Sequence, residues 1–454
     1  MARHPSSVIG KACTESNNQC GRSLCPPSPT RTVMDAKQAR ELVKSEWDTL
    51  VGLTVDLVRA PTENRIPHGD EARGQKVLAD FFAGCAVEID TFRPDQVPGI
   101  TDHPDWWQGR NYTDRPNLVV TRRATSPGGR SLVFNGHMDT VTRAPLPWQS
   151  GDPFSGTVRD GKLFGRGSYD MKAGLAACAM VIKIIAEKGI ETGGDILLQS
   201  VVDEENAGAN GTLAAILKGH VGALAIIPEP TNLKICPQTR GGQVFELIAE
   251  GTGGVAYGGE TIRNPISTLS EAIVLLGRYE ADINTRPHPG LFATERHPRD
   301  LVFSKLMAGD TPGGNIGIPV EARGEFFIQT LPGMTEAELH GELRAALAPV
   351  LSNATAPLRL EPTSRYLSGA DTSSENAGVV ALLEALEAVT GERQRAAGAT
   401  FGGDGYLFNK WTSTPSVHLG PQGGNAHGPD EFVELESLEA LTATLLLHAA
   451  NWSS

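Results

Sequence analysis

The sequence predicts an α/β protein: a doubly wound, mainly parallel sheet forming the main domain, with an inserted α+β, ferredoxin-like domain. Three observations carry this. Short apolar runs at 132–134, 195–202 and 223–227 alternate with helical periodicities, as in sheets whose strands are joined by crossover helices. Histidines and acids stand at the ends of those runs, where an open α/β sheet discharges its loops into a crevice. Beyond Arg240-Gly241-Gly242 the pattern shifts to strands with two long helices, and it returns to the first style after about 120 residues, a usual size for a small domain.

A chain of 454 residues, 40% of them hydrophobic, has length and apolar content for two or three domains with real cores. Its net charge of -13, from 40 basic against 53 acidic residues, argues against nucleic acid or an anionic membrane as the main partner. It fits an enzyme of small molecules, or one that gathers carboxylates around cations. No apolar run reaches the roughly 18 to 20 residues that span a bilayer, so no transmembrane helix is expected. Residues 1–33 are rich in Ser, Asn and Pro without a sustained apolar period and read as a disordered extension, with Met34 an alternative start. Cys13, Cys20 and Cys25 lack the spacing of a zinc knuckle, and Cys85, Cys178 and Cys236 are scattered through apolar surroundings as buried thiols. The expected compartment is a reducing cytoplasm.

In chain order, residues 35–64 have helical periodicity that stops at Ala60-Pro61, because proline lacks a donor and restricts its predecessor. A second helix covers 71–83, with Gly84 placed to end it, and a strand covers 86–92. The loop 101–116 carries Trp106 and Trp107, which either line a pocket or pack. Strands follow at 117–123 and 132–134. The second empties at Asn135-Gly136 into His137-Met138-Asp139. On an extended chain His137 and Asp139 point the same way, so the Asp139 carboxylate can brace the His137 imidazole. A short strand at 162–164 leads through Gly165-Arg166-Gly167-Ser168-Tyr169 to Asp170 and a helix over 172–188; read alone, Asp170 is a helix cap worth about 1 kcal/mol.

The strand 195–202 delivers Asp203-Glu204-Glu205. Adjacent residues on an extended chain face opposite ways, so Glu204 and Glu205 should have different tasks. Gly208, Gly211 and a helix at 212–217 close this unit. The strand 223–227 ends at Pro228-Glu229-Pro230, which presents Glu229 rigidly, as suits a ligand or an ordinary turn. The inserted part holds a strand at 243–249, a helix at 264–283, a strand region at 317–330, a helix at 336–351 and a strand at 358–361. A helix at 378–390, a strand at 416–419, a glycine-rich loop ending at His427 and a helix at 438–451 complete the chain. The expected division is therefore 1–33 extension, 34–241 and 362–454 main domain, and 242–361 insertion.

Collected, His137, Asp170, Glu204, Glu205, Glu229 and His427 form a nitrogen and oxygen donor set that suits Zn²⁺, with Mn²⁺ or Co²⁺ as substitutes. Five ligands with one shared carboxylate fit two metals roughly 3.5 Å apart, a spacing that activates water near neutral pH.

The segments NGHMDTV, GRGSYDMKAG, VVDEENAGANG, IPEPT and GPQGGNAHGPDEF, in this order, make residues 35–454 resemble the di-metal aminoacylase group. That group includes acetylornithine deacetylase, succinyl-diaminopimelate desuccinylase and glutamate carboxypeptidase. The resemblance implies that His137 and Glu229 hold one metal, that Glu205 and His427 hold the other, and that Asp170 bridges them. It implies that Asp139 orients His137, that Glu204 is the general base, and that the insertion is a dimerisation lid. A homodimer or higher homo-oligomer acting on a small molecule is the partner expectation.

One departure divides the functional readings. The family's lid histidine, which stabilises the oxyanion, falls at Val255, nine residues before Asn264-Pro265-Ile266, and Val255 has no side-chain donor. Loss of one such donor costs on the order of 100- to 1000-fold in turnover. Tyr257 stands two residues along as a candidate substitute, and Asn315 resembles the family's lid asparagine that contacts substrate. Arg263, Arg323, Gln329, Asp404 and Tyr406 are further groups able to read a carboxylate or ring, or to serve structure alone. The first expectation is a metal-dependent hydrolase cleaving a C–N bond of a small N-acyl amino acid. The second is an aminohydrolase releasing ammonia from a small amine, for example one on an aromatic ring, where the missing histidine matters less. The third is a metal-binding relative without catalysis.

Overall fold

Residues that alternate between two apolar environments build the central sheet. In the strand Leu132–His137, Leu132 and Phe134 enter one core while Val133 enters another, and Ile196–Val201 and Leu224–Ile227 divide their side chains in the same way. Strands buried on both faces need helices on both faces. In this computed structural model, which describes residues 33–126, 128–143, 145–205, 210–254, 259, 262–309, 317–352 and 357–452, that is what is found.

The sheet has six strands in the order Ser416–His418, Leu224–Ile227, Leu132–His137, Ile196–Val201, Asn117–Arg122 and Glu88–Phe92. The first four run parallel, and the last two pair antiparallel at the far side. The helices Ala36–Ser45, Trp47–Arg59, Ala173–Glu187, Ala377–Thr390 and Leu435–Trp452 contribute to the larger core on one face. Asn210–Leu217 and Gly405–Trp411 pack on the other. Ala173–Glu187 is apolar all round and almost wholly buried, as a helix enclosed between sheet and outer helices must be. The expected helix over 35–64 is two helices broken at Glu46, and Gly84 adopts φ +81 after the helix Ala72–Phe81.

A separate four-stranded antiparallel sheet has the order Leu301–Ala308, Glu321–Thr330, Gly241–Glu250, Leu358–Pro362. With the helices Pro265–Ile283 and Glu336–Ala346 it encloses its own core around Phe245, Leu276, Phe326 and Leu343. The chain order strand, helix, strand, strand, helix, strand is that of the ferredoxin-like fold. The edge strand Leu301–Ala308 and the helix Gly405–Trp411 were not expected from the sequence. A second small sheet joins Thr157–Arg159, Lys162–Phe164, Phe432–Glu434 and Gly423–Gly424, bringing the two ends of the main domain together. The extension 1–33 lies, apart from Val33, outside the described residues.

The last helix buries His448, stacked on Trp452 with ring centroids 5.6 Å apart, while Arg130 covers the Trp452 ring at 3.6 Å. Burial pulls the His448 imidazole from its ordinary 6.5 to about 4. Above pH 6.5 the folded and unfolded chains both hold it neutral; between about 6.5 and 4 only the unfolded chain takes up the proton, so stability falls as pH drops through that window. Urea unfolding at pH 7 and pH 5 should therefore show a loss of stability that is smaller by roughly 2 kcal/mol in His448→Phe than in the wild type.

Candidate metal centre

Three neighbouring parallel strands end at one place. Leu132–His137 delivers His137, Ile196–Val201 leads to Glu204 and Glu205, and Leu224–Ile227 leads to Glu229. Asp170 comes from the turn ahead of the helix Ala173–Glu187, and His427 from the loop between Gly423–Gly424 and Phe432–Glu434. The Asp170 side chain caps no helix, contrary to its simplest reading, because its two oxygens are turned into the cluster. Its peptide bond to Met171 is cis.

The geometry separates two groups that share Asp170. His137 Nε2 lies 3.3 Å from Asp170 Oδ1 and 3.5 Å from Glu229 Oε1. His427 Nε2 lies 3.2 Å from Asp170 Oδ2 and 3.0 Å from Glu205 Oε2. Within each group the candidate ligand atoms all lie within 4.8 Å of one another. A tetrahedron with bonds of about 2.0 to 2.1 Å places its ligand atoms roughly 3.3 to 3.4 Å apart, so these separations fit the donor shell of a Zn²⁺-sized cation. His137 Nδ1 meets the Asp139 carbonyl at 2.8 Å, which leaves Nε2 facing the cluster. Glu204 sits beside the first group, with Oε2 3.9 Å from His137 Nε2. Glu205 turns the other way, accepting from Val141 N at 3.2 Å and facing His427. A third group, Glu280, His297 and Asp300, has its acids engaged: Glu280 Oε1 accepts from Leu301 N and Asp300 faces Arg240.

Charge is out of balance here. Asp170, Glu204, Glu205 and Glu229 oppose two imidazoles, and all four carboxylate side chains are 16% exposed or less. Burial pushes Glu204 and Glu229 well above the usual carboxylate range. Burial alone would lower His137, but Glu229 and the other acids outweigh it and raise the imidazole well above 6.5. The Glu205 charge raises His427 to about 11. A site that holds protons this firmly on two imidazoles is one that calls for positive charge.

Asp139 needs a correction. Its carboxylate does not bond the His137 ring, standing 3.7 Å from Nδ1; the brace is its backbone carbonyl. The carboxylate is drawn instead to three donors, the backbone N–H groups of Glu204 and Glu205 at 3.2 and 3.1 Å and Asn64 Nδ2 at 2.7 Å. Asn64 also donates to Asp203, which sits at φ +75 directly before Glu204. Asp203 is fully buried and accepts from Tyr112 Oη at 2.5 Å, from Arg115 at 3.2 Å and from Arg110. Arg115 in turn donates to Glu71. Sequence reasoning saw Asp203 only as one of three acids and gave no part to Asn64, Arg110, Tyr112 or Arg115; a loop with two arginines facing an acid at a buried strand end was the available signal.

Of the other expected residues, Val255, Tyr257 and Asn315 lie outside the described residues. Arg263 is bonded through its backbone to Thr252. Arg323 pairs with Glu321 and Glu246 on the four-stranded sheet, and Gln329 accepts from Arg240. Asp404 is buried and accepts from Thr212 Oγ1 at 2.6 Å, close enough to the cluster that, with burial, its charge helps raise Glu204, and Tyr406 is buried in the second core. Trp106 lies against Tyr112 and Trp107 is tied through its backbone to Asn210.

Known proteins place this architecture. A model of peptidase family M20/M25/M40 matches residues 133–451. The chain belongs to that family. It is 30% identical to a succinyl-diaminopimelate desuccinylase of Methylobacterium nodulans over 87% of this chain and 93% of that protein. It is 34% identical to an N-formyl-4-amino-5-aminomethyl-2-methylpyrimidine deformylase of Halalkalibacterium halodurans over 50% of this chain and 45% of that protein. Its fold is similar to a di-peptidase from Saccharomyces cerevisiae, with TM-score 0.72, 15% identity and coverage of 92% and 98% of the two chains. It is also similar to a dinuclear metal binding peptidase from Bacillus subtilis, with TM-score 0.58, 17% identity and coverage of 90% and 98%. As a member of family M20/M25/M40, the chain is a metal-dependent hydrolase acting on C–N bonds.

Removing one charge from the buried network below the site isolates its contribution. Asp203→Asn leaves Arg110 without a charged partner and should lower the unfolding free energy by about 3 to 5 kcal/mol. Asp95→Asn, which breaks the half-exposed pair with Arg93, should change it by less than about 1 kcal/mol in the same urea titration.

Proposed function

We propose that this member of family M20/M25/M40 is a two-zinc deacylase that removes a short acyl group from the nitrogen of a small, carboxylate-bearing amino acid. The observation that carries the reading is the sharing of Asp170, whose two oxygens face separate groups, His137 with Glu229 and His427 with Glu205. In this reading those five residues hold the ions, and Mn²⁺ or Co²⁺ could replace Zn²⁺ in the same donor set. Bound there, the ions would supply Lewis acidity toward a water molecule and the substrate carbonyl. Glu204 is the general base: its Oε2 stands 3.9 Å from His137 Nε2, beside the candidate ligands but in neither group, which suits a carboxylate that takes a proton at Oε and passes it to the leaving nitrogen. Asp139 is a positioning residue for His137 through its carbonyl and for Glu204 and Glu205 through its carboxylate. The succinyl and formyl groups in the relatives' names support a short acyl group.

In the same reading, 242–361 is a lid and dimerisation domain inserted between 34–241 and 362–454. Its edge strand Leu301–Ala308 exposes Val302, Leu306 and Met307 at 47% or more, an apolar edge that a second copy would cover. A reducing, cytoplasmic setting suits the free, buried thiols of Cys178 and Cys236.

The test is a panel of N-acyl amino acids and small amines, assayed with Zn²⁺, Mn²⁺ and Co²⁺ and with product analysis. Equimolar carboxylic acid and amine are expected; ammonia without any acid product would replace this reading with amine hydrolysis. Glu204→Gln should lower kcat by on the order of 100- to 10,000-fold while metal content stays at the wild-type level, and unchanged turnover would remove Glu204 from its role. By sedimentation velocity, Val302→Asp/Leu306→Asp should convert a dimer into a folded monomer, whereas a monomeric wild type would dismiss the lid interface.

A further inference from the structure

Beneath Asp170 lies a buried acid that the proposed chemistry does not use. Glu431 is fully buried, four residues after His427 and on the same loop. Its Oε1 accepts from the backbone N–H groups of Tyr169 and Asp170, each at 3.0 Å. Its Oε2 accepts from Gly167 N at 3.0 Å and from Arg166 Nη1 at 2.5 Å. Arg166 is itself 1% exposed, and its Nη2 donates to the carbonyl of His427 at 3.0 Å. Two segments that are 261 residues apart in sequence are thus held together directly under the groups they present.

We propose that Glu431 and Arg166 form a clamp that fixes Asp170 relative to His427 and so sets the affinity of the metal position built from Asp170, Glu205 and His427. The reasoning is geometric. A carboxylate that accepts three main-chain N–H groups and one guanidinium defines the path of the 166–170 turn, and with it the direction of the Asp170 side chain. The second arm of Arg166 ties the His427 backbone to the same anchor. His427 is the one clustered ligand with a largely exposed side chain, 53%, so packing holds it least and its position depends most on its backbone. His137 and Glu229 stand at strand ends that the central sheet already aligns, so the position they form with Asp170 depends on the clamp through Asp170 alone, whereas the other depends on it through both Asp170 and His427. Both residues are positioning residues, because neither touches substrate or the ligand atoms.

The proposal rests on the two-metal reading above, and its test keeps the two apart. Full-length protein, stripped with chelator and dialysed, is titrated with Zn²⁺ by calorimetry and with Co²⁺ by visible absorption. The wild type should bind two ions. Glu431→Gln should bind one ion within about threefold of wild-type affinity and the other 10- to 100-fold more weakly, with a matching loss of half the Co²⁺ absorption. Arg166→Lys, which keeps the charge but cannot span both Glu431 and the His427 carbonyl, should weaken the same ion, and by less than Glu431→Gln does. Glu204→Gln, which leaves the clamp intact, should bind both ions as the wild type does. Two wild-type affinities in Glu431→Gln would overturn the clamp and leave the metal reading standing, as would an equal weakening of both ions. If Glu431→Gln does not fold, the charge-neutral pair Arg166→Met/Glu431→Gln is judged by the same criteria. A wild type that binds fewer than two ions would overturn the two-metal reading and the clamp with it.

Discussion

Four carboxylates and two imidazoles are pressed together at the ends of three adjacent strands, and the resulting excess of negative charge is the constraint to which the surrounding structure answers. Carboxylates do not gather in a buried crevice of their own accord, since each loses hydration and repels the others. Here Glu204, Glu205 and Glu229 are held by covalent position, since a strand end cannot move without disturbing cores on both faces of the sheet, and Asp170 is held by the turn ahead of the helix Ala173–Glu187. Stability stored in the two cores is what keeps the unfavourable cluster assembled, and a pair of cations is what such a cluster is suited to receive.

Around this cluster the protein places rigid supports. The Asp139 carboxylate caps two successive N–H groups ahead of Glu204 and Glu205, and Asp203, buried against Arg110, Arg115 and Tyr112, anchors the same turn from below. Both supports are buried acids, Asp139 satisfied by neutral N–H donors and Asp203 by paired arginines. Such pairs contribute little net stability against an apolar alternative, but removing one partner is costly, so they hold geometry firmly. The ligand residues are therefore not free side chains in a cleft. Among them His137 is the end of a continuous buried network that reaches from Glu71 through Arg115, Asp203, Asn64 and Asp139.

Much of this was legible before any coordinates. The apolar runs marked the parallel strands because strands covered on both faces must be apolar throughout, and the acids and histidines beyond them marked the crevice. The antiparallel strand Asn117–Arg122 reads the same way as the parallel ones because burial does not depend on strand direction, while Glu88–Phe92 pairs with it as the largely exposed edge. The edge strand Leu301–Ala308 escaped notice because exposed Val302, Leu306 and Met307 obscure the alternation that betrays a half-buried strand. Asp139 was expected to reach His137 with its carboxylate; its carbonyl took that place because three donors claimed the side chain.

By itself the amino-acid sequence determined most of the order of the elements, the identity of the clustered donors and the opposite facing of Glu204 and Glu205, since these follow from periodicity and from the alternation of an extended chain. Periodicity and spacing did not divide the donors into two groups sharing Asp170, a division that only the resemblance to a family implied and that the tertiary structure sets in space. The buried charges behind them were decided by the tertiary structure alone. The reason is physical. Local pattern reports which face a residue turns inward, but the pairing of His427 with Glu205, or of Arg166 with Glu431, joins residues more than two hundred positions apart. Such pairs exist only once the sheet and its loops have closed.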